Sequence, residues 1–90
     1  MIRVKLVFLD EDLRKIVNVK EAVFELSENS TVEELLFAAA LKYSEKILDF
    51  LSKEGIIIML NGQNIEFLEG VKTKLSDEDR VAIVPPVNGG

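Results

Sequence analysis

The apolar run Val81-Ala82-Ile83-Val84 is followed at once by Pro85 and Pro86, and then by Val87-Asn88-Gly89-Gly90. Proline fixes φ and has no N–H to donate, so a strand through residues 81–84 cannot continue past them as a paired ladder. The chain is thereby divided unequally: residues 1–84 must build the body, and residues 85–90 are expected to leave it as a tail. Gly89 and Gly90 carry no side chain, so they add nothing to a core but are thin enough to enter a narrow pocket in another protein. With Gly90 as the last residue, its α-carboxylate is expected to be the most accessible reactive group of the molecule.

Ninety residues suit one domain with a single hydrophobic core. There is neither cysteine nor histidine. Disulfides, thiol nucleophiles, thiolate and imidazole metal sites and the commonest general base are therefore excluded, leaving carboxylates, lysines, hydroxyls and the chain ends as possible chemistry. Catalysis by this chain alone is not expected. A net charge of −5 argues against nucleic-acid backbones and anionic membranes as partners, because both demand clustered Lys and Arg. The first residues alternate charge with apolar side chains and cannot form a signal peptide, and no apolar stretch is long enough to span a bilayer. The expected setting is the cytoplasm.

Ile2, Val4, Leu6 and Phe8 alternate with Arg3, Lys5 and Val7, the period of a half-buried strand. Asp10-Glu11-Asp12 reads as a charged turn or loop. A second strand follows within 20–26, its short separation favouring an antiparallel hairpin with the first. Ser30 with Glu33, or Thr31 with Glu34, has capping-box spacing. Val32, Leu35, Leu36, Ala39, Ala40 and Tyr43 then recur at helical spacing, and Ile47, Phe50 and Leu51 extend the stripe. The pattern leaves open whether the helix runs through or breaks near Ser44, and it suits Gly55 as the closing residue. Ile56 to Leu60 lead into Asn61-Gly62, a strong hairpin signal, with 63–67 as the returning piece. Ser76-Asp77-Glu78-Asp79 reads as a capped turn before a last strand over 80–84.

The order strand, strand, helix, strand, short strand, strand, ending in Val-Ala-Ile-Val-Pro-Pro-Val-Asn-Gly-Gly after a Ser-Asp-Glu-Asp turn, resembles the ubiquitin-like β-grasp sulfur carriers. Within them it is most similar to the small subunit of molybdopterin synthase. Met1 to Lys5, Thr31-Val32-Glu33-Glu34-Leu35 and Leu60-Asn61-Gly62 fit the same pattern in order. The resemblance implies an α+β fold: a mixed sheet of four to five strands, first and last strands parallel in the centre, and a main helix packed on one face. It implies a carrier that binds no cofactor itself. An ATP-dependent, E1-like adenylating enzyme would activate Gly90, a sulfur donor would convert it to a thiocarboxylate, and the large subunit of molybdopterin synthase would use that sulfur on a pterin precursor. Asn88 departs from the smaller or hydroxyl residue usual there.

Apart from Gly90, the expected partner-binding residues are Gly89, Val87, Pro86, Pro85, Val84, Ala82 and Val7. Val7, Ala82 and Val84 lie opposite in parity to Phe8, Ile83 and Val81, and are expected to face outward as one docking patch bordered by Arg3 and Lys5. The acidic clusters at 10–12 and 77–79 lack calcium-loop spacing and are expected to be solvated turns, not metal sites. Carriers for thiamine or transfer-RNA thiolation, a ubiquitin-like protein modifier and a plain binding module are the competing readings. The Pro85-Pro86 pair and the long helical region argue against the thiamine carriers.

Overall fold

Strand β1, Ile2–Phe8, buries Ile2, Val4, Leu6 and Phe8 on one face, as its alternation requires. The computed structural model describes residues 1–86. β1 pairs antiparallel with β2, Glu21–Leu26, and parallel with β5, Asp79–Val84. β5 pairs antiparallel on its other side with β3, Ile57–Leu60, which carries the two-residue β4, Gln63–Asn64. The strand order is β2-β1-β5-β3-β4, a mixed five-stranded sheet. The first and last strands lie side by side within it, so the core cannot close until both ends of the chain meet.

The connection from β1 to β2 is a helix and not the charged turn the sequence suggests. α1, Glu11–Val17, begins where Asp10 accepts the amides of Asp12 and Leu13 at 2.8 and 3.0 Å. That carboxylate satisfies amides the first helical turn would otherwise leave unpaired. Leu13 and Val17, four residues apart, are buried in the core, and Asn18 ends the helix in a left-handed conformation.

α2, Val32–Lys42, opens with the Thr31–Glu34 pairing as its capping box. It buries Val32, Leu35, Leu36 and Ala39, and its chain then breaks at Ser44. The Ser44 hydroxyl accepts the amide of Lys46 at 3.1 Å and starts α3, Lys46–Leu51, as a separate helix. Beyond the break, α3 buries Ile47 and Phe50 in the same core. Phe8 meets Tyr43 edge to face, with ring centroids 6.2 Å apart, locking the end of α2 to the central strand. The three helices cover the face carrying Leu6, Phe8, Val81 and Ile83, all fully buried.

Asn61 and Gly62 both take positive φ, the requirement of a tight two-residue hairpin between β3 and β4. The returning piece is shorter than expected: after Asn64 the chain winds into 3-10 turns at Ile65–Phe67 and Gly70–Lys72. Asn64 drives the change, its side chain accepting the amide of Glu66 at 2.9 Å and capping the first turn.

Candidate functional site

β5 stops at Val84, and Pro85 and Pro86 follow outside the ladder. The tail thus starts from a strand with a neighbour on either side, at the rim of a sheet whose other face carries no helix among the described residues. Val87, Gly89 and Gly90 lie outside the described residues, as does Asn88.

The open face is built by register. One row runs Glu21, Val7, Ala82, Met59 and Asn64 across all five strands. The next row towards the tail pairs Val84 with Ile57, and the row on the other side pairs Val23, Lys5 and Arg80. Leu9, Met59, Ala82 and Val84, with Asn61, Gly62 and Arg80, line a groove of about 230 Å³ beside the start of the tail. Ala82, Val84 and Pro85 are half-buried and Pro86 is exposed.

Val7 requires a correction. By register it belongs to the open face, but only 5% of it is exposed. It sits in a strand flanked by β2 and β5, between Glu21 and Ala82 in the same row. Leu9 and Met59 supply the accessible apolar surface in its place, with Leu9 43% exposed. Met59 was legible only as part of an apolar run, because nothing local in the sequence shows that β3 lies against β5.

Arg3 and Lys5 border the patch, joined by Arg80. The three cations line a shallow groove of about 300 Å³ with Val4, Val23, Glu78 and Asp79. The pair between Lys5 and Glu21 is 3.7 Å long and half exposed, so it adds less than about 1 kcal/mol to stability. In a chain of net charge −5, the basic edge is therefore better suited to guiding an acidic partner surface than to holding the fold.

The second acidic cluster is an exposed turn at Asp77 and Glu78, as expected, and its carboxylates also act as caps. Asp77 accepts the backbone amide of Arg3 at 2.8 Å, and Asp79 accepts from Ser76 at 2.7 Å and from the Asn61 side chain at 2.9 Å. Among the described residues no group of three or more carboxylates is placed to hold a metal ion. Nor is any helix among them long and apolar enough to cross a membrane.

A model of the ThiS family matches residues 8–90. Small archaeal modifier protein 3 of Haloferax volcanii is 30% identical over 81 residues, which cover 86% of this chain and 88% of that protein. The solution structure of small archaeal modifier protein 1 from Methanosarcina acetivorans superposes with a TM-score of 0.78 at 32% identity, covering 100% of this chain and 98% of that one. A candidate molybdopterin converting factor, subunit 1, from Pyrococcus furiosus superposes with a TM-score of 0.74 over 97% of this chain and 100% of its own; at 24% identity that likeness concerns the fold.

Proposed function

The chain belongs to the ThiS family, and from that premise we propose that it is a ubiquitin-like sulfur carrier whose working group is the α-carboxylate of Gly90. The observation that carries this reading is where β5 ends. Pro85 and Pro86 end β5 beside an apolar groove with a basic edge, so one partner surface can hold the body while the last residues reach into its active site.

A carboxylate is a poor electrophile and must first be activated. In the proposed cycle a Gly90 carboxylate oxygen attacks the α-phosphorus of ATP on an adenylating partner, and pyrophosphate leaves. The resulting acyl-adenylate is attacked by sulfide-level sulfur (hydrosulfide) from a donor, AMP departs as the leaving group, a proton is lost, and a thiocarboxylate remains. The chain's own part is to dock, to present an end with no side chain, and to keep the base of the tail stiff, which lowers the entropy lost on insertion. ATP binding, acid–base work and sulfur mobilisation fall to the partners.

For the acceptor, we propose the large subunit of molybdopterin synthase acting on a pterin precursor. A second reading, conjugation of Gly90 to lysine amines of other proteins, is favoured by the 30% and 32% identity to small archaeal modifier proteins. Both readings need the same adenylated intermediate.

Intact-mass spectrometry after incubation with the adenylating enzyme, ATP and a sulfur source tests the common step. The expected result is a chain terminating at Gly90 that gains the mass of one sulfur for one oxygen. No gain, with an enzyme shown competent on another carrier, would sink the proposal. Adding the synthase large subunit and precursor should then consume the thiocarboxylate, whereas isopeptide-linked adducts on denaturing gels would select the modifier reading.

A further inference from the structure

Gly55 stands opposite Pro86, one same-face pair beyond the last ladder pair of β3 and β5. The register that matches Ile57 with Val84 brings Gly55 and Pro86 together when it is extended by two residues on each strand. A Cβ added to Gly55 would lie 3.0 Å from Pro86 Cβ and 3.6 Å from its Cγ. The shorter distance is tighter than ordinary carbon contacts. The atom it meets belongs to a ring fused to the backbone, which can yield only by moving the chain.

Gly55 also holds φ at +86°, in the left-handed region. Gly70 shares that second property and not the first: its φ is +60°, and a Cβ there would meet nothing within 4 Å. The two glycines therefore separate a purely conformational requirement from a steric one.

The turn that carries Gly55 is well anchored. It follows α3, whose Ile47 and Phe50 are buried, and is tightened where the Ser52 hydroxyl donates to the Asp49 carbonyl at 2.6 Å and the Lys53 amide to Phe50 at 3.1 Å. On its far side the chain enters β3. Pro86 thus packs against this turn, and it can do so only because residue 55 has no side chain.

We infer that Gly55 is a positioning residue for delivery of the C-terminal glycines: it seats Pro86 and so sets the point and direction from which residues 87–90 depart. The inference rests on the carrier reading for its functional consequence and on the Gly55–Pro86 contact for its structural one. Docking by the open face does not require it, whereas alignment of Gly90 with ATP does.

The test uses Gly55→Asn, because asparagine tolerates positive φ and so isolates the added Cβ, with Gly70→Asn as the matched control. In Gly55→Asn the residual dipolar coupling of the Val87 backbone N–H should change while those of β5 keep their wild-type values; in Gly70→Asn all should be unchanged. With the adenylating enzyme, kcat should fall about tenfold or more in Gly55→Asn with little change in KM, as expected for a misaligned reactant that still docks. Pro86→Gly removes the same contact from the other side and should also alter the Val87 coupling, which covers the case in which Gly55→Asn fails to fold. An unchanged Val87 coupling in the folded variants, or an equal kcat loss in Gly70→Asn, would overturn the inference. If the wild-type chain is never adenylated the carrier reading fails, and the couplings still decide whether Gly55 seats the tail.

Discussion

The carboxylate of Asp77 accepts the backbone N–H of Arg3 at 2.8 Å, tying the turn before the last strand to the beginning of the first. Glu78 completes the clasp by donating its amide to the Arg3 carbonyl at 2.7 Å. From this point the parallel pairing of β1 and β5 runs in register from Val4 with Asp79 to Phe8 with Ile83. Asp77→Ala should destabilise the fold by about 1 kcal/mol, the usual net worth of such a bond. Asp77→Asn should cost less, because an amide oxygen still accepts. Urea unfolding of both variants checks the order.

Asn61 has two duties. Its side chain donates to Asp79 and accepts from the Arg80 amide, each at 2.9 Å, fastening the β3–β4 hairpin to β5, and its φ is +49°. Asn61→Gly loses the bonds and should cost roughly 1 to 2 kcal/mol. Asn61→Ala also meets left-handed strain and should cost about 1 kcal/mol more. Equal midpoints for the two variants would show that the backbone conformation is not under strain.

Ile47 is fully buried, although α3 has only 6 residues and cannot be stable by itself. Ile47→Ala should therefore destabilise by about 3 kcal/mol, as a cavity in a central core does. Denaturant unfolding followed by circular dichroism gives the value; a loss comparable to that of a surface substitution would mean that α3 is not part of the core.

On the open face, Ala82→Glu places a charge in the middle of the apolar row. Affinity for the adenylating enzyme should weaken at least about tenfold, which is 1.4 kcal/mol, while the unfolding midpoint changes little. Leu41→Glu, on the exposed side of α2 behind the sheet, should leave affinity at its wild-type value. Calorimetric titration of both variants distinguishes a docking face from a general loss of apolar surface.

Deletion of Gly89 and Gly90 should abolish activation and leave thermal unfolding unchanged. A truncated chain that is still adenylated would exclude Gly90 as the working group. Intact mass and a melting curve on the same sample are sufficient.

Much of this fold is legible in local pattern. Alternation in Ile2–Phe8, the capping box at Thr31 and Glu34, and the positive φ demanded at Asn61-Gly62 each follow from a few neighbouring residues. α1 was hidden because Asp10-Glu11-Asp12 has the composition of a loop, although Leu13, Ile16 and Val17 already had helical spacing. The break at Ser44 depends on a hydroxyl competing with backbone for the Lys46 amide, a contest that spacing alone does not decide. The docking face was half legible. Parity placed Ala82, Val84 and Val7 on one side, but the exposure of Leu9 and the burial of Val7 depend on which strands flank them. The sequence suits Gly55 as a helix-closing residue, but α3 is capped by Ser52, three residues earlier, and Gly55 takes its positive φ in the turn before β3; its contact with Pro86 follows from a register that no local motif contains.

The central pairing of first strand with last has a consequence for how the protein comes into being. Val81 and Ile83 fill the middle of the core, so a nascent chain lacks the keel of its own sheet until β5 has been synthesised. A product cut short before this strand would leave its core open and its apolar surface exposed, the condition that favours aggregation. The arrangement thus acts as an inspection step: only a molecule translated through β5 can complete its core.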